Sequence, residues 1–218
     1  MTTPVPDAED PGRYHPESAI RKFLVTKAAG APAPELMGAA VHERWSVKTA
    51  ADADAQGMTG QAPTPTTIAA LTALAVPALL PPDGRSDGAE KTVWQLTATL
   101  QEFGREADGD YHMVLADDQG NTMIGEIPNP GDITSPSYFA TQITDARTAF
   151  DAQFNVVEDI SAPSAQAGPA PAETSAFRQA GVPVTLTGLG FFDFAHGQRG
   201  VAPNAIELHP VINIVFNG

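Results

Sequence analysis

The chain contains no cysteine, which excludes disulfides, thiolate metal sites, iron–sulfur clusters and a cysteine nucleophile. Basic residues are scarce: 12 Lys and Arg stand against 26 Asp and Glu, for a formal net charge of −14. A chain of this charge repels nucleic-acid phosphates and anionic membrane surfaces at long range. A nucleic-acid partner is therefore disfavoured. Long hydrophobic runs are missing too. The longest, Ile68 to Leu80, contains Pro77 and falls short of the ~20 residues that span a bilayer. Met1 to Asp10 carry neither the positive nor the apolar segment of a secretory signal. A soluble cytoplasmic protein is the expectation.

What the chain does have is 20 prolines and 19 glycines, a composition that favours many turns and short strands over a long helical bundle. Residues 1–40 read as a Pro- and acid-rich arm followed by a short amphipathic helix, with Ser18 as its cap and Ile20, Phe23, Leu24 and Lys27 on one side. Such a helix is either a packing strut or a docking device for a partner. Residues 41–90 form an extension that packs on the main domain. Here the pattern predicts a strand over Arg44–Lys48 and a helix over Thr66–Ala75, with Ile68, Leu71 and Leu74 at helical spacing.

Residues 91–218 carry the clearest β signals. Trp94, Leu96, Ala98 and Leu100 alternate with polar residues, the period of a strand with one buried face. After the Asp108-Gly109-Asp110 turn, Tyr111–Ala116 and Asn121–Ile127 complete a three-stranded meander around the loop Asp117–Gly120. Ser135 and Pro136 predict a helix start, and Phe139, Ile143, Ala146, Phe150 and Phe154 form one apolar stripe. Residues 161–175, rich in Ala, Pro and Ser, read as a linker. Strands at about 182–190 and 205–216 follow, with Gly188 and Gly190 marking a bulge or tight bend. The expected class is mainly β with α: a five-stranded antiparallel barrel of the OB type or a curved sheet, one helix between strands 3 and 4, and a helical N-terminal extension.

The polar chemistry concentrates near the C-terminus, in His196, Gln198, Arg199, Asn204, Glu207 and His209. His196 and His209 are candidate bases, Glu207 a candidate acid or orienting group, and Gln198, Arg199 and Asn204 candidate binding residues. Two histidines and a carboxylate also make a divalent-metal ligand set, provided Glu207 and His209 share a strand face. His112 is expected as a solvent-side or partly buried strand histidine; the alternative places it facing a groove near Asp110 and Asp117. The favoured expectation is structural: these side chains satisfy the backbone of a Gly- and Pro-rich loop, with Glu207 accepting from its amides or pairing with Arg199. Trp94, Phe191, Phe192 and Phe194 are expected to pack in the core rather than stack on bases.

Three segments carry a resemblance. Asp108-Gly-Asp-Tyr-His112, Thr122-Met-Ile124 and the run from His196 through Gly200-Val-Ala-Pro-Asn204 to Glu207-Leu-His-Pro210 resemble motifs that recur together in a group of bacterial proteins without an assigned activity. The likeness covers roughly residues 90–216 and implies no reaction. By element order the chain also resembles staphylococcal-nuclease-type OB barrels, phosphodiesterases that use calcium, carboxylates and arginines. Arg105, Arg147 and Arg199 have no place in that motif, and order alone does not carry function. The expected role is a non-catalytic binding or protein-interaction domain, with a protein partner or self-association. The alternative is a metal-assisted, phosphodiesterase-like hydrolase using His112, His196, Glu207 and His209.

Overall fold

The computed structural model describes residues 44–86, 88–106, 108–133, 136–156, 177–194 and 197–217. The helix expected in residues 1–40, the 161–175 segment, Ser135 and His196 lie outside the described residues. The protein is mixed α+β. Two one-turn helices, α1 (Trp45–Lys48) and α2 (Ala53–Gln56), precede a short strand β1 (Thr64–Thr66) and helix α3 (Ile68–Thr72). Then come β2 (Val93–Arg105), β3 (Tyr111–Ala116), β4 (Thr122–Ile127), the long helix α4 (Ala140–Phe154), β5 (Arg178–Phe192) and β6 (Ile206–Phe216).

The six strands form one sheet in the order β1-β2-β3-β4-β6-β5, and a further pairing of β2 with β5 closes it into a ring. β1 adds to the sheet in parallel at Trp94–Leu96 and shares one edge of β2 with β3, which pairs further along. The ring is uneven. Long antiparallel pairings join β2 to β5 and β5 to β6, whereas β4 and β6 run parallel and pair only at Ile124↔Glu207 and Gly125↔Leu208. A bulge between Leu100 and Glu102 bends β2, and register shifts around Gly188 bend β5 where the glycines predicted curvature. A Cβ on Gly188 would lie 3.0 Å from the carbonyl oxygen of Pro210, so the backbones of β5 and β6 approach as only glycine permits.

The core fills the ring. Leu96, Ala98 and Leu100 enter it from β2 as the alternation predicted, joined by Met113, Leu115, Met123, Ile127, Leu186 and Leu208. Helix α4 packs on β6 with Ile143, Ala146 and Phe150 buried, the predicted stripe. Phe150 meets Phe103, Tyr111 and Phe154 at ring separations of 4.9, 4.8 and 4.8 Å. Burying a ring of this size contributes about 1.5–3 kcal/mol.

Three local expectations are corrected. The helix begins at Ala140 rather than at Ser135–Pro136; Phe139 is its cap residue, and the Ser137 hydroxyl accepts from the Phe139 amide. Arg44–Lys48 is not a strand. Arg44 adopts a left-handed φ of 54° and starts the single turn of α1, because its guanidinium is held by both oxygens of Glu90 at 2.7 and 2.8 Å and by the carbonyls of Pro81, Gly84 and Phe192. Five residues are too few to fix a period, and these tertiary bonds decide. Helix α3 stops at Thr72, short of Ala75, leaving Leu74 at the surface.

Candidate functional site

β3 and β4 are buried along almost their whole length, so both faces of this hairpin are covered. Tyr111, Met113 and Leu115 join the core inside the ring. His112 and Val114, one residue out of phase, turn to the other face. The antiparallel register sets His112 opposite Glu126 and Val114 opposite Ile124, and the parallel register sets Ile124 beside Glu207. Glu207 and His209, two apart on β6, share this outer face, as the regular-strand condition required. α1 and residues 197–205 cover it: the Arg199 carbonyl lies on His112, a Cβ on Gly200 would press into Val114, and Arg44 and Lys48 sit over the Phe191 ring.

The tight turn between β2 and β3 brings in the remaining groups. Gly109 takes a φ of 88°, and the Glu106 amide donates to the Asp110 carbonyl at 2.9 Å. Arg147 of α4 pins the turn by donating to the Gly109 and Ile127 carbonyls. Asp110 is thereby turned inward, and its Oδ1 accepts from the Asn129 amide at 2.8 Å.

A compact cluster of ionisable groups results. His112 Nδ1 lies 3.0 Å from Glu106 Oε1 and 3.1 Å from Glu126 Oε1, and its Nε2 lies 2.8 Å from the Arg199 carbonyl oxygen. A carbonyl and an ionised carboxylate only accept, so both ring nitrogens carry hydrogen and His112 is an imidazolium. Burial alone would lower its pKa, but the bonds to Glu106 and Glu126 push it up to about 11. His209 Nδ1 lies 3.0 Å from Glu126 Oε2 and 3.1 Å from Glu207 Oε1. Burial opposes its charge as well, yet Glu126, Asp110 and Glu207 raise it well above the usual imidazole range.

The carboxylates divide. Burial would raise Glu126, but His209 and His112 hold it well below its ordinary value. Burial and the neighbouring Glu126 charge push Glu207 up to about 8. Asp108 is raised by its partial burial and by Asp110. Lys48 faces this group from α1, 3.8 Å from Asp193, and the surrounding carboxylates raise its pKa against the effect of burial.

Two atoms stand apart. Asp110 Oδ2 and His209 Nε2, both fully enclosed, have no hydrogen-bond partner among the described residues. They face each other at 3.6 Å, an ion-pair separation. The neighbouring network of Arg44, Glu90, Arg85 and Asp52 is different, for Glu90 accepts from Arg44, Ser86 and Phe192, and Arg85 donates to Asp52 and to the Val47 carbonyl. That network is satisfied within the protein.

Of the residues singled out in the sequence, His112, Glu207 and His209 come together. Glu207 pairs with His209 and not with Arg199, which reaches Glu102 at 2.9 Å on the surface and lies over the Phe177 ring. His112 is buried rather than solvent-facing, and Asp117 is not near it in the network; Asp117 closes its own turn by accepting from Gln119 and Asn121. Gln198 donates to Asp193 and to the Phe194 carbonyl. Asn204 donates to the Leu71 and Leu74 carbonyls at the end of α3. Glu126, Glu106 and Lys48 were not anticipated. Glu126 had a signal: a hairpin looping at 117–121 places it opposite His112.

The cluster joins both ends of the resemblance motif, Asp108-Gly109-Asp110-Tyr111-His112 and Glu207-Leu208-His209, with the Glu126 that follows its middle segment. No protein-family model matches the chain, and no curated protein or solved structure matches it either.

Proposed function

We propose that this protein is a non-catalytic binding or protein-interaction domain built on an OB-type barrel. The ring order β2-β3-β4-β6-β5, its closure through β2 and β5, the parallel β4–β6 step and the placement of α4 between β4 and β5 support the OB reading. Barrels of this type bind ligands on the face of their second and third strands, between the first and last strand-connecting loops. Here that face carries His112 and Glu126, between the turn that joins β2 to β3 and residues 197–205. The chain's acidity disfavours a nucleic acid there.

One observation carries the non-catalytic reading: the acid–base candidates among the described residues are enclosed. His112, Glu207 and His209 are 1, 2 and 0% exposed, so a substrate atom cannot come within hydrogen-bond reach of them without moving the cover. The apolar side chains of Val76 and Leu79, 56 and 69% exposed after α3, offer a contact to a protein partner or a second copy.

The hydrolase alternative is favoured by the convergence of His112, Glu207 and His209 on one centre. An assay with a phosphodiester ester, in the presence of zinc or manganese, separates the two readings. The binding reading expects no turnover above background. Turnover that disappears in His209→Gln overturns it in favour of the hydrolase.

A further inference from the structure

We propose that Asp110, Glu126 and His209 bind one divalent transition-metal ion of the zinc or manganese class on the covered outer face of β3, β4 and β6. The site goes beyond the binding reading and does not rest on it, since the ion can be held whether or not the protein turns anything over.

The ligand atoms of these three residues all lie within 4.8 Å of one another, and all three residues are buried. Asp110 Oδ2 and His209 Nε2 are both enclosed and lack a hydrogen-bond partner among the described residues, and they face each other across the site. Buried polar atoms of this kind are ordinarily satisfied by protein, water or an ion. Their separation of 3.6 Å suits two ligands of one ion that replaces the proton of His209 Nε2, which is released to solvent on binding: at the ~2.0–2.2 Å bond lengths of zinc to nitrogen and oxygen, a tetrahedral angle sets them about 3.4 Å apart.

The atoms next to these are already held, as metal ligands require of their outer partners. The Asn129 amide fixes Asp110 Oδ1, leaving Oδ2 directed inward. Glu207 Oε1 holds His209 Nδ1, which orients the ring so that Nε2 faces Asp110. His112 grips Glu126 through Oε1. Glu126 Oε2 lies on the same Nδ1 as Glu207 Oε1, so it must leave that nitrogen to join an ion at Nε2, while Glu207 keeps the ring in place.

A second trio, Glu106, His112 and Glu126, is equally compact. It does not qualify. Both nitrogens of His112 are engaged, one by two carboxylates and one by the Arg199 carbonyl. The first trio itself supplies the anionic donors a cation requires, since Asp110 and Glu126 both present carboxylate oxygens to the site. Two carboxylates and an imidazole suit zinc or manganese; calcium requires a larger shell of oxygens.

The test uses the full, untagged chain, stripped with a chelator and titrated calorimetrically with zinc, manganese, calcium and magnesium chlorides. The expected result is one zinc or manganese per chain at micromolar or tighter affinity, with much weaker calcium and magnesium. Asp110→Asn keeps an acceptor for the Asn129 amide and is expected to fold, yet to bind zinc at least about tenfold more weakly. Wild-type affinity in that variant overturns the site, as does a wild-type chain that binds neither ion. X-ray absorption of the wild-type zinc complex needs no variant: one imidazole among oxygen ligands is expected, and no imidazole or two overturn the assignment.

Discussion

His112 and Glu126 stand opposite each other on β3 and β4, with Nδ1 and Oε1 3.1 Å apart and both side chains enclosed. The same carboxylate reaches His209 through its other oxygen at 3.0 Å, so a single anion faces two buried imidazoles. Removing one partner of a buried pair strands the other charge, at a typical cost of about 3–5 kcal/mol. Glu126→Gln is expected to lose stability in that range in metal-free buffer, measured by urea unfolding. A loss below about 1 kcal/mol would mean that the imidazoles do not depend on this carboxylate.

The acid side of the stability profile should report on Glu90. Burial alone would raise its carboxyl, but the bonds from Arg44, Phe192 and Ser86 and the Arg44 charge hold it below its ordinary value of 4.5. A depressed carboxyl contributes stability that is fully present above the unfolded value and is lost as pH falls through the folded one. Acid unfolding of the native chain should therefore steepen below pH 4.5. Glu90→Gln, already destabilised at neutral pH, should show a shallower slope in that window; an unchanged slope would assign the acid sensitivity elsewhere.

Much of the sheet was legible because its strands obey local rules. The alternation from Trp94 to Leu100, the turn residues of Asp117–Gly120 and the paired glycines of β5 each state their structure within a few positions. The cluster was legible only in pieces. His112, Glu207 and His209 announce themselves as residue types, whereas their meeting depends on the register that sets His112 against Glu126 and on the parallel step that brings Ile124 beside Glu207. Nothing local fixes that step. Arg44–Lys48 misled for a related reason, since the bonds that turn it into a helix come from Glu90, Pro81, Gly84 and Phe192, all far along the chain.

Asn204 separates a structural from a binding role. Its amide caps the carbonyls of Leu71 and Leu74, and its Oδ1 accepts from Ile206 at 3.3 Å. Asn204→Ala is expected to lose about 1 kcal/mol, the usual net worth of such bonds at a partly exposed site, and to bind zinc as the native chain does. Native stability in the thermal melt would show that the cap is idle and return Asn204 to the binding candidates.

Gly109 and Gly120 make a paired test of how the Asp110 turn is built. Both have positive φ, 88° and 82°, so alanine at either position meets backbone strain of order 1 kcal/mol. Only at Gly109 would the new Cβ also collide, lying 2.7 Å from Asn129 Nδ2; at Gly120 nothing lies within 4 Å. Asn129 holds Asp110 Oδ1 through its amide, so a shift of that residue also releases the carboxylate. Gly109→Ala should lower stability by about 1–3 kcal/mol more than Gly120→Ala, because overpacking adds to the strain. It should also weaken zinc binding, which Gly120→Ala should leave intact. Equal losses in the two variants would show that the turn yields freely and that Asp110 does not depend on its close packing against Asn129.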